Sequence, residues 1–281
     1  MNFSIIAASR LRAATQSPFT IEVDTSKAGS ANDAFQFTGA VGDYDVVAKQ
    51  SGVVVQTFTN LSDEETITFS NGTGIYILEI TPKATGGFNR IEFSDSGDKL
   101  KLTDVKRWGN VVWSSFSRSF RGCSNCPFTA TDVPNLSNVT NMNIMFHSAT
   151  IANPNVSNWN LSNVTDLSFM FRSATAFNKD VSNWNVSNVV NMRSLFQSAT
   201  SANPNTRDWD VSSVTDMQLI FNSANLSTAN LDGCYQNWSQ LSLQSNVAFG
   251  AGSTQFTSAA QAGRNTLINT YNWSLSDGGL V

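Results

Sequence analysis

The sequence predicts a mostly β chain with short helical turns: an N-terminal β-sandwich, a solenoid of stacked repeats, and a C-terminal cap. Three observations carry that prediction. Short apolar stretches, several alternating with polar residues, recur between residues 16 and 106. A unit of 25 residues repeats from Leu136, and after Asn225 the period breaks. The expected organisation is an anchor or assembly segment over 1–15, the sandwich over 16–106, the solenoid over 107–230 and the cap over 231–281. Composition narrows the function. Charged residues are 14% of the 281 positions, well below the roughly 25% of an average soluble domain. With hydrophobic residues at 41%, that low charge argues against intrinsic disorder. A net charge of −4 argues against nucleic-acid binding, which needs a basic surface. No apolar run approaches the ~20 residues that cross a bilayer, so no membrane insertion is expected.

At the N-terminus the first base, Arg10, follows the short apolar stretch at residues 5–8, whereas a secretory signal needs the reverse order. No export signal or lipid anchor is expected there. Ile5, Ile6 and Leu11 are instead candidate anchor residues that dock on a partner. Residues 19–23, 35–37, 53–58, 66–69 and 75–80 read as short strands spaced by turns, the pattern of a small β-sandwich. Ser70-Asn71-Gly72-Thr73-Gly74, between two of them, is a hairpin signal. Residues 91–102 read as a linking element that leads into the solenoid.

Four copies of the repeat begin at Leu136, Leu161, Val186 and Val211, and a degenerate copy precedes them at residues 112–123. One column holds Val139, Val164, Val189 and Val214; the next holds Met142, Leu167, Met192 and Met217. Phe146, Phe171, Phe196 and Phe221 form a third, and Ala149, Ala174, Ala199 and Ala224 a fourth. The columns lie three, four and three residues apart, which predicts an apolar face on a helical turn or two. Trp159, Trp184 and Trp209 close the copies, after a lead that reads as a brief strand. One copy cannot bury such a face alone, so the copies must share a continuous core. Ser137, Ser162, Ser187 and Ser212, each followed by Asn or Ser, are expected to bond neighbouring backbone at the bends. Residues 258–271 read as a helix in an atypical terminal unit that closes the stack.

The repeat V-S-N-V-T-x-M-x-x-M-F-x-x-A, with the following D-V-S-N-W-N, resembles the BspA-type leucine-rich-repeat surface proteins. Flanking segments resemble the same family. Gly97-Asp98-Lys99-Leu100-Lys101-Leu102 with Trp108-Gly109 is similar to its entry segment, and Phe120-Arg121-Gly122-Cys123 to its first coil. Arg264, Leu267, Trp273 and Asp277-Gly278-Gly279 are similar to its C-terminal end. The resemblance covers roughly residues 88–281, and more weakly residues 16–87 resemble the β-sandwich that often precedes such repeats. It implies a leucine-rich-repeat-like solenoid and a role in adhesion or protein–protein binding at bacterial surfaces. Copies of the family also occur in phage genomes. It implies no shared enzymatic site.

Candidate sites are few. Cys123-Ser124-Asn125-Cys126 is a CxxC, but zinc needs two more ligands, and Cys234 and His147 are remote or alone. Buried thiols are the expectation, with a local disulfide or metal as the alternative. Asp166 and Asp216 share a column with Asn141 and Asn191. An acid that alternates with Asn reads as a helix cap rather than as one of a glycosidase pair. Asp43, Asp45, Asp63, Glu64 and Glu65 lie in the sandwich region and could bind calcium through its loops, without a recognisable ligand pattern. Two polar columns vary from copy to copy: Asn143, Ser168, Arg193 and Gln218, and four residues later His147, Arg172, Gln197 and Asn222. Either they are a solvated face or they are the contact surface.

The surface-type architecture without an export signal predicts a non-enzymatic virion structural or adhesion protein of a bacteriophage, exposed on a tail, fibre or capsid. No cofactor or metal is expected. The expected partners are other virion proteins through the N-terminus and a host surface protein or glycan through the solenoid. The alternative is a bacterial cell-surface adhesin, and a weaker one is a glycan-acting enzyme.

Overall fold

The computed structural model describes residues 17–83 and 87–281, and within them the chain is mostly strand with few short helices. The candidate anchor residues Ile5, Ile6 and Leu11 lie outside the described residues. Seven strands come first: β1 (Phe19–Asp24), β2 (Ala34–Gln36), β3 (Asp43–Gln50), β4 (Val53–Ser62), β5 (Thr66–Thr68), β6 (Ile75–Pro82) and β7 (Leu102–Arg107). Five form an antiparallel sheet in the order β4-β3-β6-β1-β7, and β2 and β5 form a separate antiparallel pair. Period-two alternation builds the inner face. Phe19, Ile21 and Val23 of β1, Tyr44, Val46 and Ala48 of β3, and Tyr76, Leu78 and Ile80 of β6 are all buried. The β2/β5 pair packs on this face: Phe37 meets Tyr44 edge-on, and the Phe69 ring stacks on Tyr76 at 3.8 Å.

The hairpin expected at residues 70–74 is absent. β5 pairs with β2 whereas β6 pairs with β1 and β3, so that turn carries the chain from one sheet to the other. The tight hairpin is β3–β4, where Ser51 (φ 50°) and Gly52 (φ 81°) supply the two positive φ angles of a type I′ turn. β3 was not among the expected strands because Asp43, Asp45 and Lys49 break its apolar pattern. Behind the sheet, Asp98 and Lys101 are fully buried. Lys101 Nζ donates to the carbonyls of Ser30, Ala31 and Ala34, and Asp98 accepts from the amides of Ser30 and Gln36. Burial pushes the Lys101 ammonium pKa down, with Asp98 opposing.

The core does not stop at the sheet. Trp108 meets Phe19 at 6.0 Å on one side and Trp159 at 5.6 Å on the other, so sheet and repeats share one hydrophobic interior.

The repeats are coils without helix. In the coil at residues 142–149, Met142, Ile144, Phe146 and Ser148 donate their N–H groups to Asp166, Ser168, Met170 and Arg172 of the next coil. The alternate amides, Met145, His147 and Ala149, donate three residues back within their own coil. The following coil repeats this from Leu167 to Ala174. The cause is a left-handed residue every fourth position: Ile144 and Ser148, Phe169 and Ser173, Ser194 and Ser198, Leu219 and Ser223. A left-handed residue ends a helix before it can propagate, so the three-four-three spacing is met by a turn and not by the expected helical face. The lead before each Trp is also a turn, closed by Trp159 N–H on the Val156 carbonyl, and not a strand.

Packing repeats with the backbone. Phe120, Phe146, Phe171, Phe196 and Phe221 form one stack, with centroid separations of 5.9, 5.3, 5.8 and 6.0 Å. The Trp184 and Trp209 indoles donate to the carbonyls of Val156 and Val181 in the coil before. The same stacking continues after the period breaks. Helix α1 (Thr228–Trp238) precedes β8 (Ala248–Gly250), and helix α2 (Gln261–Tyr271) precedes β9 (Ser274–Ser276). Met217 and Phe221 donate to β8, β8 pairs in parallel with β9, and Trp238 and Trp273 donate back to Thr206 and Gln244. The helix expected over 258–271 is present as a short 3₁₀ turn and α2; α1 was not foreseen.

Candidate functional site

The Asn141, Asp166, Asn191, Asp216 column opens each coil. Each side-chain Oδ1 accepts the amide two residues on, at Asn143, Ser168, Arg193 and Gln218. These are Asx turns. The expectation of a helix cap therefore changes to a turn, and Oδ1 of both carboxylates is committed to backbone. Parallel bridges join Asn141 to Asp166, Asp166 to Asn191, and Asn191 to Asp216, so a whole coil separates the two acids.

This turn sets the two variable columns on one side of the stack, since Met145 and Phe146, and their counterparts in the later coils, face inward between them. Asn143, His147, Arg172, Arg193, Gln197 and Asn222 are partly exposed, and Gln218 is exposed. Ser168 is the correction: it is 3% exposed and offers no contact surface. Its short side chain lies below its neighbours, where Arg193 in the same column reaches out to Asp216 at 3.5 Å. At the near end, Ser117 Oγ donates to Asn143 Oδ1 at 2.6 Å.

Between these columns runs a row that sequence reasoning missed: Arg118, Ile144, Phe169, Ser194 and Leu219. Arg118 is exposed and Ile144, Phe169 and Leu219 are partly exposed. All are left-handed. The signal was there: three large apolar residues fall outside every core column. Arg172 lies over the Phe169 ring at 5.9 Å. Arg121 continues the His147 column into the first coil. Burial lowers the His147 pKa, and the Arg121 and Arg172 charges lower it further against Asp95, so its imidazole is neutral at pH 7.

The other candidates are structural. Cys123, Cys126 and Cys234 are buried free thiols; burial pushes the first two pKa values well up and that of Cys234 to about 12. Asp45 Oδ1 accepts from the Asn60 amide, Asp63 from Gly42 and Glu64 from Gly39, so these acids hold loops. Among the described residues, no three of His, Cys, Asp and Glu gather as metal ligands. No helix among them is long and apolar enough to cross a membrane.

Residues 114–234 match a known family. It is described as Mycoplasma protein of unknown function, DUF285. The match begins in the first coil and ends in α1, and so covers the coils that carry the variable columns. No curated protein and no solved structure matches the chain.

Proposed function

We propose that the chain is a non-enzymatic surface-contact protein, a virion structural or adhesion protein of a bacteriophage. In this reading its coils are a leucine-rich-repeat-like solenoid of the BspA type, its paired sheets a small β-sandwich, and its last segment a cap. One observation carries the reading. Core columns and backbone bonds repeat from coil to coil, while the exposed rows change identity in each. A rigid scaffold whose outward side chains vary independently suits recognition of an extended partner. An exterior of amides and hydroxyls with few charges suits an exposed surface that resists non-specific association. A bacterial cell-surface adhesin is the second reading, favoured by the resemblance of the repeats to surface proteins.

The test is mass spectrometry of purified particles from the source culture, with particle binding compared between the full chain and a truncation lacking residues 1–15. Stoichiometric presence in particles, and loss of binding on truncation, is the expected result. Presence on cell envelopes and absence from particles would replace the phage reading with the adhesin.

A further inference from the structure

Four arginines line the variable face of a chain whose net charge is −4. Arg118, Arg121, Arg172 and Arg193 all project there, with His147 between Arg121 and Arg172 in one column. Little of this charge is answered locally. Arg193 meets Asp216 at 3.5 Å and Arg121 meets Asp95 at 3.8 Å, but Asp95 is already bonded to Lys99. Among the described residues, Arg118 and Arg172 take part in no ion pair. A second observation is independent of charge. Arg121 Nε and His147 Nδ1 are buried polar atoms without a hydrogen-bond partner. Two adjacent side chains of one column are thus incompletely bonded within the protein.

Resting on the contact-face reading above, the geometry points to an anionic polysaccharide as the partner of this face. Successive coils are joined by parallel backbone bonds, which fixes their rise at about 4.8 Å. Arg121 and Arg172 of one column therefore stand two coils apart, about 9.6 Å, near the span of two successive sugar units in an extended chain. Carboxylates on one side of an extended peptide recur only every ~6.6 Å, which fits the column less well. The uncharged neighbours also suit a sugar. Asn143, Gln197 and Asn222 present amides, and Phe169 presents a partly exposed ring to an apolar sugar face. The charged group of the ligand, carboxylate or sulfate, bonds the guanidinium groups of the partly exposed Arg121 and Arg172. Asp95 and Asp216 bound the strip on either side and limit the site to the central coils.

The experiment measures binding of the full chain to immobilised polygalacturonate, dextran sulfate, neutral dextran and polyglutamate. The first two distinguish carboxylate from sulfate. Expected is binding to at least one of them, weakening with added salt, and none to neutral dextran. Arg172→Glu should weaken that binding roughly tenfold or more, with an unchanged melting temperature, whereas Lys27→Glu in the sheet region should leave it intact. Absence of binding to both polyanionic sugars, undiminished binding by Arg172→Glu, or preference for polyglutamate would each overturn the inference. Adsorption of the labelled chain to intact host cells separates this from the broader reading. If cells are bound but polyanionic sugars are not, the contact face stands and the anionic ligand falls; if neither is bound, both fall.

Discussion

In the sheet region each strand finds a different neighbour, whereas in the coils one arrangement is used again and again. β6 lies between β3 and β1, which precede it by different distances in the chain, and the buried Asp98–Lys101 pair is used once to pin a single loop. In the coils every backbone bond between layers joins neighbours one repeat apart, and the same side chains meet themselves in the next layer. The difference teaches where variation is tolerated. A strand that serves two neighbours is constrained along both of its edges. A coil constrains its core columns and its Asx position, and leaves the outward rows free to change.

Substitutions can sharpen or break that contrast. Phe171→Ala removes the centre of a five-ring stack and should cost about 3–5 kcal/mol in chemical denaturation. A small loss would mean that neighbouring rings close the gap and that the column is less rigid than its spacing implies. Lys101→Met leaves the Asp98 carboxylate buried without its cation, and about 3 kcal/mol is expected by the same measurement. That loss should be cooperative across the sheet, because the pair is unique. Asn191→Ala deletes one Asx acceptor and should cost about 1 kcal/mol, whereas Asn191→Asp should be nearly neutral, since Asp166 and Asp216 already fill that column.

At the C-terminal end, burial raises the Asp277 pKa, but hydrogen bonds from Arg264 and Tyr235 outweigh it and hold the carboxyl below its ordinary value. A depressed acid stabilises the fold above its unfolded value, and the contribution disappears as pH falls through the folded one. The melting temperature should therefore drop on acidification, and drop less in Asp277→Asn. The smallest effect is assigned to Arg193→Ala, less than about 0.5 kcal/mol, because its pairing with Asp216 is exposed. A larger melting shift would show that the outward rows are not free of the scaffold.

The repeat columns were legible because a 25-residue period writes the same core four times. Phe171 or Trp184 alone would be an ordinary apolar residue; in a column each announces its burial. The backbone path between the columns was not legible, since Ile144, Phe169 and Leu219 are residues that rarely take left-handed angles, and the amides of Ile144 and Phe169 bond the next coil from that conformation. β3 and the β3–β4 turn were missed because charge hid the alternation and Ser51-Gly52 is a weaker signal than Asn71-Gly72. For the site, the variable columns were visible in the sequence, but Ser168 lies buried, and the Arg118 row emerged only from the three-dimensional arrangement.

The alternating amides of the coils have a consequence for how such a molecule changes in size. Each layer meets the next through the same donors and acceptors, so removing residues 161–185 would bring Asn160 to Val186 and present the following layer with an equivalent surface. Length here is a count. A duplication or loss of one module alters reach by a fixed step of about 4.8 Å and leaves both ends as they were. Recombination between near-identical segments would thus adjust how far the variable face extends without a new fold having to be found.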